Sequence, residues 1–287
     1  MKHAYLIIAH NEPEILQLLL SSLDDERNDI YIHIDRKTSF DAYVFRTVKS
    51  HFNILPIHID ACWGDFSLVE IELALFQEAY SNGPYAYYHL LSGVDLPIKS
   101  QDYIHDYCDI HQGQEFIGVA THATQSEIDW RSQHWFVFPR DFKSGNLIKK
   151  YIRAVFARLQ SLVGYRRTRL EVKKGCQWCS ITHEFVGYLL QNADLIRKTF
   201  THTYCPDEMF IQTLCWNSDF RKNIYNATDE FEGCKRYIKW VDGVLMPLTQ
   251  ADVDEMQKSD RWFARKWRCK DRQVIELLMN SYKKKLL

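Results

Sequence analysis

The sequence predicts an α/β fold, a central and mostly parallel sheet flanked by helices, on three observations. Ala4-Tyr-Leu-Ile-Ile-Ala-His10 is a short apolar run. Asn11-Glu-Pro13-Glu14 then opens a helix through Ile15-Leu-Gln-Leu-Leu-Leu20, and Ile30-Tyr-Ile-His-Ile-Asp35 is a second apolar run. Strand, proline-started helix and strand within about 35 residues make a βαβ unit, whose parallel strands lie in a buried sheet. Ligands of open α/β sheets bind beyond the carboxyl ends of the strands, an edge that here carries His10, Asn11, Asp35 and Arg36. With no glycine-rich loop in the unit, a nucleotide there would be held by side chains and strand-end backbone. The alternative is an ordinary crossover.

The later elements keep the same pattern. Residues 67–80 have a helix-period apolar face, with Ser67 and Glu70 as a capping box. Tyr87-Tyr-His-Leu-Leu91 is a buried strand that breaks at Ser92-Gly93-Val94-Asp95. Residues 101–112 form a short helix, 115–120 a strand, 147–163 a basic helix, 178–182 a strand, and 185–200 and 207–216 two further helices. Residues 237–240 form a late strand, Thr249 and Asp252 cap a polar helix, and 271–287 form a last helix with Asp271 as N-cap. With no repeat, low-complexity tract or linker, a single domain over 1–287 is expected.

Composition excludes several classes. At 287 residues, 46% hydrophobic, the chain can bury one large core or two modest ones, and a net charge of −1 gives no global field for nucleic acid. The first strand starts directly after Met1-Lys2-His3, so the expectation is a cytoplasmic protein without signal peptide. No apolar stretch approaches the roughly 20 residues that span a bilayer. Of eight cysteines only Cys176-Gln-Trp-Cys179 has ligand spacing, and no second pair completes a zinc set, so reduced thiols are expected.

Nine segments stand in one order along almost the whole chain: Ala4–His10, His33-Ile-Asp-Arg-Lys-Thr38, Trp63-Gly64 with Ser67-Leu-Val-Glu70, Leu91-Ser-Gly-Val-Asp-Leu-Pro-Ile-Lys99, Lys174-Gly-Cys-Gln-Trp178, Phe185-Val-Gly-Tyr-Leu-Leu190, Tyr204-Cys-Pro-Asp-Glu208, Arg236-Tyr-Ile-Lys-Trp240 and Phe263-Ala-Arg-Lys266. Together they resemble the core-2/I-branching N-acetylglucosaminyltransferases and peptide O-xylosyltransferases of glycosyltransferase family 14, and the chain looks like a compact bacterial relative. The resemblance implies a GT-A fold, a UDP-sugar donor and inversion at the anomeric carbon. It divides the domain into a nucleotide-binding part over about 1–120 and an acceptor and catalytic part over about 121–287.

An inverting transferase needs a carboxylate to accept the acceptor's hydroxyl proton and positive charge to stabilise the departing diphosphate. Cys205-Pro-Asp-Glu208 puts two acids at a helix start, as in the family motif. The resemblance assigns the base to Glu208, with Asp207 a structural or acceptor-side partner; the alternative is two acids answering a helix dipole. The family's N-acetylglucosaminyl members use basic side chains in place of a metal, so no metal or other cofactor is expected. Asp252-Val-Asp254 matches Asp-x-Asp only in letters, because it belongs to the capping box. The positive charge should come from Lys266 and Arg265. A second family cation, expected after Trp240, is missing from 241–249, and Arg265, Arg268 or Lys270 would have to replace it. By the same resemblance His10, His33 with its backbone, Asp35, Ser92, Gly93 and Asp95 should surround the donor. Trp240 is a candidate acceptor platform or else a core tryptophan, and Arg131 and His134 are candidates for shaping acceptor choice. The implied reaction moves N-acetylglucosamine to a glycan hydroxyl; xylose transfer and a catalytically silent carbohydrate-binding relative are the alternatives.

Residues 143–174 hold ten bases against the single acid Glu171. Ile148, Ile152, Val155, Phe156, Leu159, Leu162 and Val163 keep helical spacing, so a basic amphipathic helix is expected. Such a helix can dock peripherally on the anionic inner face of a membrane, beside a lipid-linked acceptor; the alternative is a core-packed helix with a solvated basic edge, or one whose bases face the diphosphate.

Overall fold

The computed structural model of the protein describes residues 1–40, 44–143 and 145–283, so the end of the expected last helix, 284–287, lies outside the described residues. Strand β1 (His3–Ala9), helix α1 (Pro13–Leu23) and strand β2 (Asn28–Ile34) form the expected crossover, with β1 and β2 parallel from His3↔Asn28 to Ala9↔Ile34. Both strands are buried throughout, because helices cover both faces of the sheet. Side chains alternate along a strand. Tyr5, Ile7 and Ala9 therefore pack with Ile15, Leu16 and Leu19 of α1, while Ala4, Leu6 and Ile8 pack with Val69, Leu73 and Phe76 of α2 (Ser67–Asn82). Each large aliphatic side chain so buried contributes roughly 1.5–3 kcal/mol.

Strands β3 (His51–Ile54), β4 (Tyr87–Ser92) and β6 (Ser180–Thr182) complete the sheet in the order β3-β2-β1-β4-β6, parallel except for β6, which runs antiparallel to β4. A second sheet, β5-β10-β7, joins Leu96–Pro97 (β5), Phe263–Arg265 (β10) and Arg236–Ile238 (β7). Trp240–Val241 (β8) and Val244–Leu245 (β9) make a hairpin. The remaining helices are α3 (Gln101–Ile110), α4 (Gln125–Gln133), α5 (Leu147–Leu162), α6 (His183–Gln191), α7 (Ala193–Phe200), α8 (Phe210–Trp216), α9 (Glu230–Gly233), α10 (Gln250–Lys258) and α11 (Arg272–Lys283).

Several local expectations need correction. Ser67 does not cap α2: Phe66 is the N-cap, the Ser67 hydroxyl bonds Asp65 and the Cys62 N–H (2.8 Å), and Glu70 pairs with Arg197 (3.1 Å). Residues 115–120 form two isolated bridges, Glu115 to Ile224 and Phe116 to Ser180, not a strand. The helix expected over 185–200 divides at Asn192, whose side-chain amide donates to the Tyr188 carbonyl (2.8 Å). Pro206–Glu208 is a 3-10 turn ahead of α8, and Cys269–Asp271 another ahead of α11. Strand 237–240 divides between β7 and β8. The Thr249–Asp252 capping box is present, and Lys239 closes it with an ion pair to Asp252 at 2.5 Å.

Candidate active site

Strands β1, β2 and β4 end side by side at Ala9, Ile34 and Ser92. Just beyond, Asp35 is buried; its N–H donates to the Ala9 carbonyl (2.9 Å) and its carboxylate accepts from the Lys37 N–H (2.8 Å). The His33 ring lies in the interior, where its Nε2 accepts from the Ile59 N–H (3.0 Å) and burial pushes its pKa down to about 4. Gly93 crosses so close to β1 that a Cβ there would lie 2.9 Å from the Ala9 Cβ. That approach seats the 92–95 turn on the strand end, with the Gly93 N–H donating to the Ile8 carbonyl (2.8 Å).

The second sheet brings residues 265–267 over this turn. The Trp267 N–H donates to the Val94 carbonyl (3.0 Å), and Arg265 pairs with the fully buried Asp95 (3.2 Å) and stacks on Trp178 (4.3 Å). Asp95 also accepts from the Ser92 N–H (2.9 Å) and hydroxyl (2.7 Å), so its oxygens are engaged by protein. Lys266 is pushed below the usual lysine range, first by burial and then by the charges of Arg265 and Lys143. His10 is open to solvent as a residue, but its ring is partly enclosed, and its pKa is lowered by that enclosure and then by the Lys266 charge. The edge is thus strongly electropositive, and one member, Lys143, is the first of the ten bases of 143–174, for which the sequence leaves a diphosphate-facing role open; its ammonium sits 4.2 Å over the Trp63 ring. Of the other cations considered, Arg268 pairs with Asp271 (3.2 Å) and Lys270 is exposed.

The acidic half is built on the turn at Cys205, whose φ is 51° and whose N–H donates to the Gly64 carbonyl (3.0 Å). The Trp63-Gly64 segment therefore touches both halves, Cys205 through its backbone and Lys143 through its ring. Glu208 is 36% exposed, and its Oε2 meets Arg131 (3.0 Å) and Lys174 (3.9 Å). Arg131 is oriented in turn by Glu127 (2.9 Å) and by the Tyr204 ring (5.2 Å). Gly175 fixes the Lys174 backbone against Glu208: its N–H donates to the Glu208 carbonyl (2.8 Å), and a Cβ there would lie 1.8 Å from the Gly118 carbonyl oxygen.

Asp207 is buried, and burial followed by the Glu208 charge raises its pKa to about 8. Beneath it Glu72, fully buried, is raised well above the carboxylate range by burial and then by Asp207, and accepts from the Gln177 amide (2.7 Å). Two buried acids, both raised above the usual carboxylate range, therefore underlie one accessible carboxylate. Asp207 thus lies buried against Glu72, on the interior side of Glu208.

Trp240 is 51% exposed on the β8–β9 hairpin, which excludes the core-tryptophan alternative. Arg131 lies on Glu208 itself, whereas His134 bonds the Trp130 carbonyl (2.9 Å) and Ser161 (2.8 Å). All eight cysteines are free thiols. Among the described residues, the three-ligand grouping with donor atoms within 4.8 Å is His3, His89 and Cys108. It lies in the core, with His3 at the opposite end of β1 from the crevice.

The sequence model described as "Core-2/I-Branching enzyme" matches residues 3–269. Xylosyltransferase oxt of Drosophila melanogaster is 22% identical over 92% of this chain and 31% of its own length. Xylosyltransferase 2 of Rattus norvegicus is 21% identical over 96% of this chain and 33% of its own length. The chain thus spans about a third of the length of these curated relatives. Among solved structures, the apo form of mouse xyloside xylosyltransferase 1 superposes with a TM-score of 0.40 at 11% identity, covering 94% of this chain and 99% of that one. S. aureus TarS 1-349 superposes with a TM-score of 0.39 at 10% identity, covering 76% and 56%.

Proposed function

The chain belongs to the Core-2/I-branching enzyme family, and on that premise we propose that it transfers a sugar from a UDP-sugar to a glycan hydroxyl with Glu208 as general base. The observation that carries this reading is the pairing of one accessible, cation-held carboxylate with a basic strand-end crevice, joined through Trp63-Gly64. Uridine and ribose would rest against Asp35 and the end of β2, and the diphosphate among Lys266, Arg265 and Lys143. Lys143 fills the place of the second cation missing after Trp240.

In the reaction the acceptor oxygen attacks the anomeric carbon while the bond from that carbon to the β-phosphate oxygen breaks, and UDP leaves with the electron pair. The acceptor proton passes to Glu208. Both cations hold Oε2, which leaves Oε1 as the proton acceptor and keeps the carboxylate in one orientation. Attack opposite the leaving group inverts the configuration. In this reading lysine and arginine stabilise the leaving charge, so no metal is required.

N-acetylglucosamine is the sugar we infer from the sequence resemblance. Transfer of xylose is the second reading, favoured by the xylosyltransferases among the relatives. Trp240 and Trp63, 51% and 45% exposed, offer flat faces for the C–H side of an acceptor pyranose. A panel of UDP-sugars, assayed for UDP release and for thermal stabilisation with and without chelator, tests donor and metal together. UDP-N-acetylglucosamine turnover in excess EDTA supports this reading, UDP-xylose turnover selects the second, and strict Mn²⁺ or Mg²⁺ dependence overturns the role of the cations.

A further inference from the structure

Helix α5 is inverted relative to an ordinary surface helix, which buries its apolar stripe and exposes its polar face. Its buried residues are Arg153, Ala157 and Gln160. The Arg153 guanidinium stacks on Phe142 (4.4 Å) and donates to the Asp141 carbonyl (3.1 Å), while Gln160 bonds the Trp135 N–H (2.8 Å) and carbonyl (3.0 Å). The apolar residues point outward: Ile148 and Tyr151 are each 71% exposed, Leu159 54%, Leu162 82% and Val163 80%. At about 100° per residue they span about a third of the helix circumference. A contiguous apolar surface of this kind marks a binding face.

Charge selects the partner. Arg158 stands exposed beside the apolar arc and Lys150 is exposed near the helix start, Arg166 and Arg169 follow the helix, and no acid occurs between residues 146 and 170. A second copy of this chain, packed on the same face, would oppose base to base, whereas an anionic lipid surface takes both the apolar arc and its basic margin. We propose that α5 and the segment through Arg169 dock the protein peripherally on an anionic phospholipid surface. Lys143 precedes this helix, and Ser161 within it holds His134 at the end of the α4 helix that carries Arg131. If the transferase reading is right, docking sets Glu208 near the surface and favours a lipid-linked acceptor.

The test is co-sedimentation of the full chain with vesicles of phosphatidylcholine alone and of phosphatidylcholine with phosphatidylglycerol. Binding to the anionic vesicles at low salt is expected, weakened about tenfold or more at high salt. Ile152→Glu with Leu159→Glu, and separately Lys150→Glu with Arg158→Glu, should each lose it while circular dichroism and UDP-sugar hydrolysis in solution stay at the wild-type level. That hydrolysis readout keeps docking separate from the chemistry. No binding at low salt, equal binding to neutral vesicles, or wild-type binding by both variants overturns the proposal. So does a concentration-dependent dimer that Ile152→Glu with Leu159→Glu abolishes, which would assign the face to self-association.

Discussion

Glu208 lies in the company of Arg131, Lys174 and Asp207, of which the sequence connects only Asp207 to it. Arg131, 77 positions away, was read only as a possible acceptor contact, and an ion pair across that separation leaves no periodic signal. Lys174 reads in the sequence as one of the ten bases of 143–174 with no link to Glu208, and Asp207 as an acid but not as a buried one. Its environment gives a stability prediction. The folded pKa is about 8, against about 3.9 for an unfolded aspartate, so between these values the folded state holds the extra proton and stability falls as pH rises. Asp207→Asn cannot lose that proton. Thermal unfolding should therefore show the variant gaining on the wild type from about pH 4 to about pH 8 and holding its lead above; a pH-independent difference would remove this account of Asp207. For Lys143, the loss of one charge-assisted phosphate contact corresponds to about 1.5–3 kcal/mol, or roughly 10- to 100-fold in affinity. Lys143→Ala and Lys266→Ala should each weaken UDP binding by that much in calorimetric titration. An unchanged affinity for Lys143→Ala would take it out of the diphosphate site.

At the scale of elements, the sequence was most readable where local signals agree with burial. The first crossover, with its buried strands and proline-started helix, is present as read, as is the Thr249–Asp252 box. It was least readable where tertiary partners override local pattern. Ser67 abandons the capping role for Asp65 and Cys62, and β3 escaped notice because its residues are exposed or half-buried and form no apolar run. Helix α5 shows the same limit: its periodicity was plain, but only the Phe142, Asp141 and Trp135 contacts show that the polar stripe faces inward. Gly175 is the junction on which the acidic half depends, since its backbone meets both Gly118 and Glu208. Gly175→Ala would force those segments apart, costing about 3 kcal/mol in denaturant unfolding together with most of the activity. Wild-type stability in this variant would show that the close approach is not needed.

Across the whole molecule, the site exists because two sheets share one turn. Ser92 and Arg265 are 173 positions apart, yet β5 and β10 pair so that the arginine reaches Asp95 and its neighbour Lys266 enters the strand-end crevice. The order of the motifs along the chain indicated the family; the contact of Trp63-Gly64 with both Cys205 and Lys143 is a property of the fold alone. The central claim is that Glu208 takes the acceptor proton while basic side chains hold the diphosphate. Glu208→Gln keeps the size of the side chain and removes the proton acceptor, so steady-state transfer compared with UDP affinity, both measured in excess EDTA, is the most direct test. The account predicts turnover lower by about a thousandfold or more with UDP affinity nearly unchanged; a variant that retains roughly a tenth of wild-type turnover, or a wild type inactive until metal is restored, would contradict it.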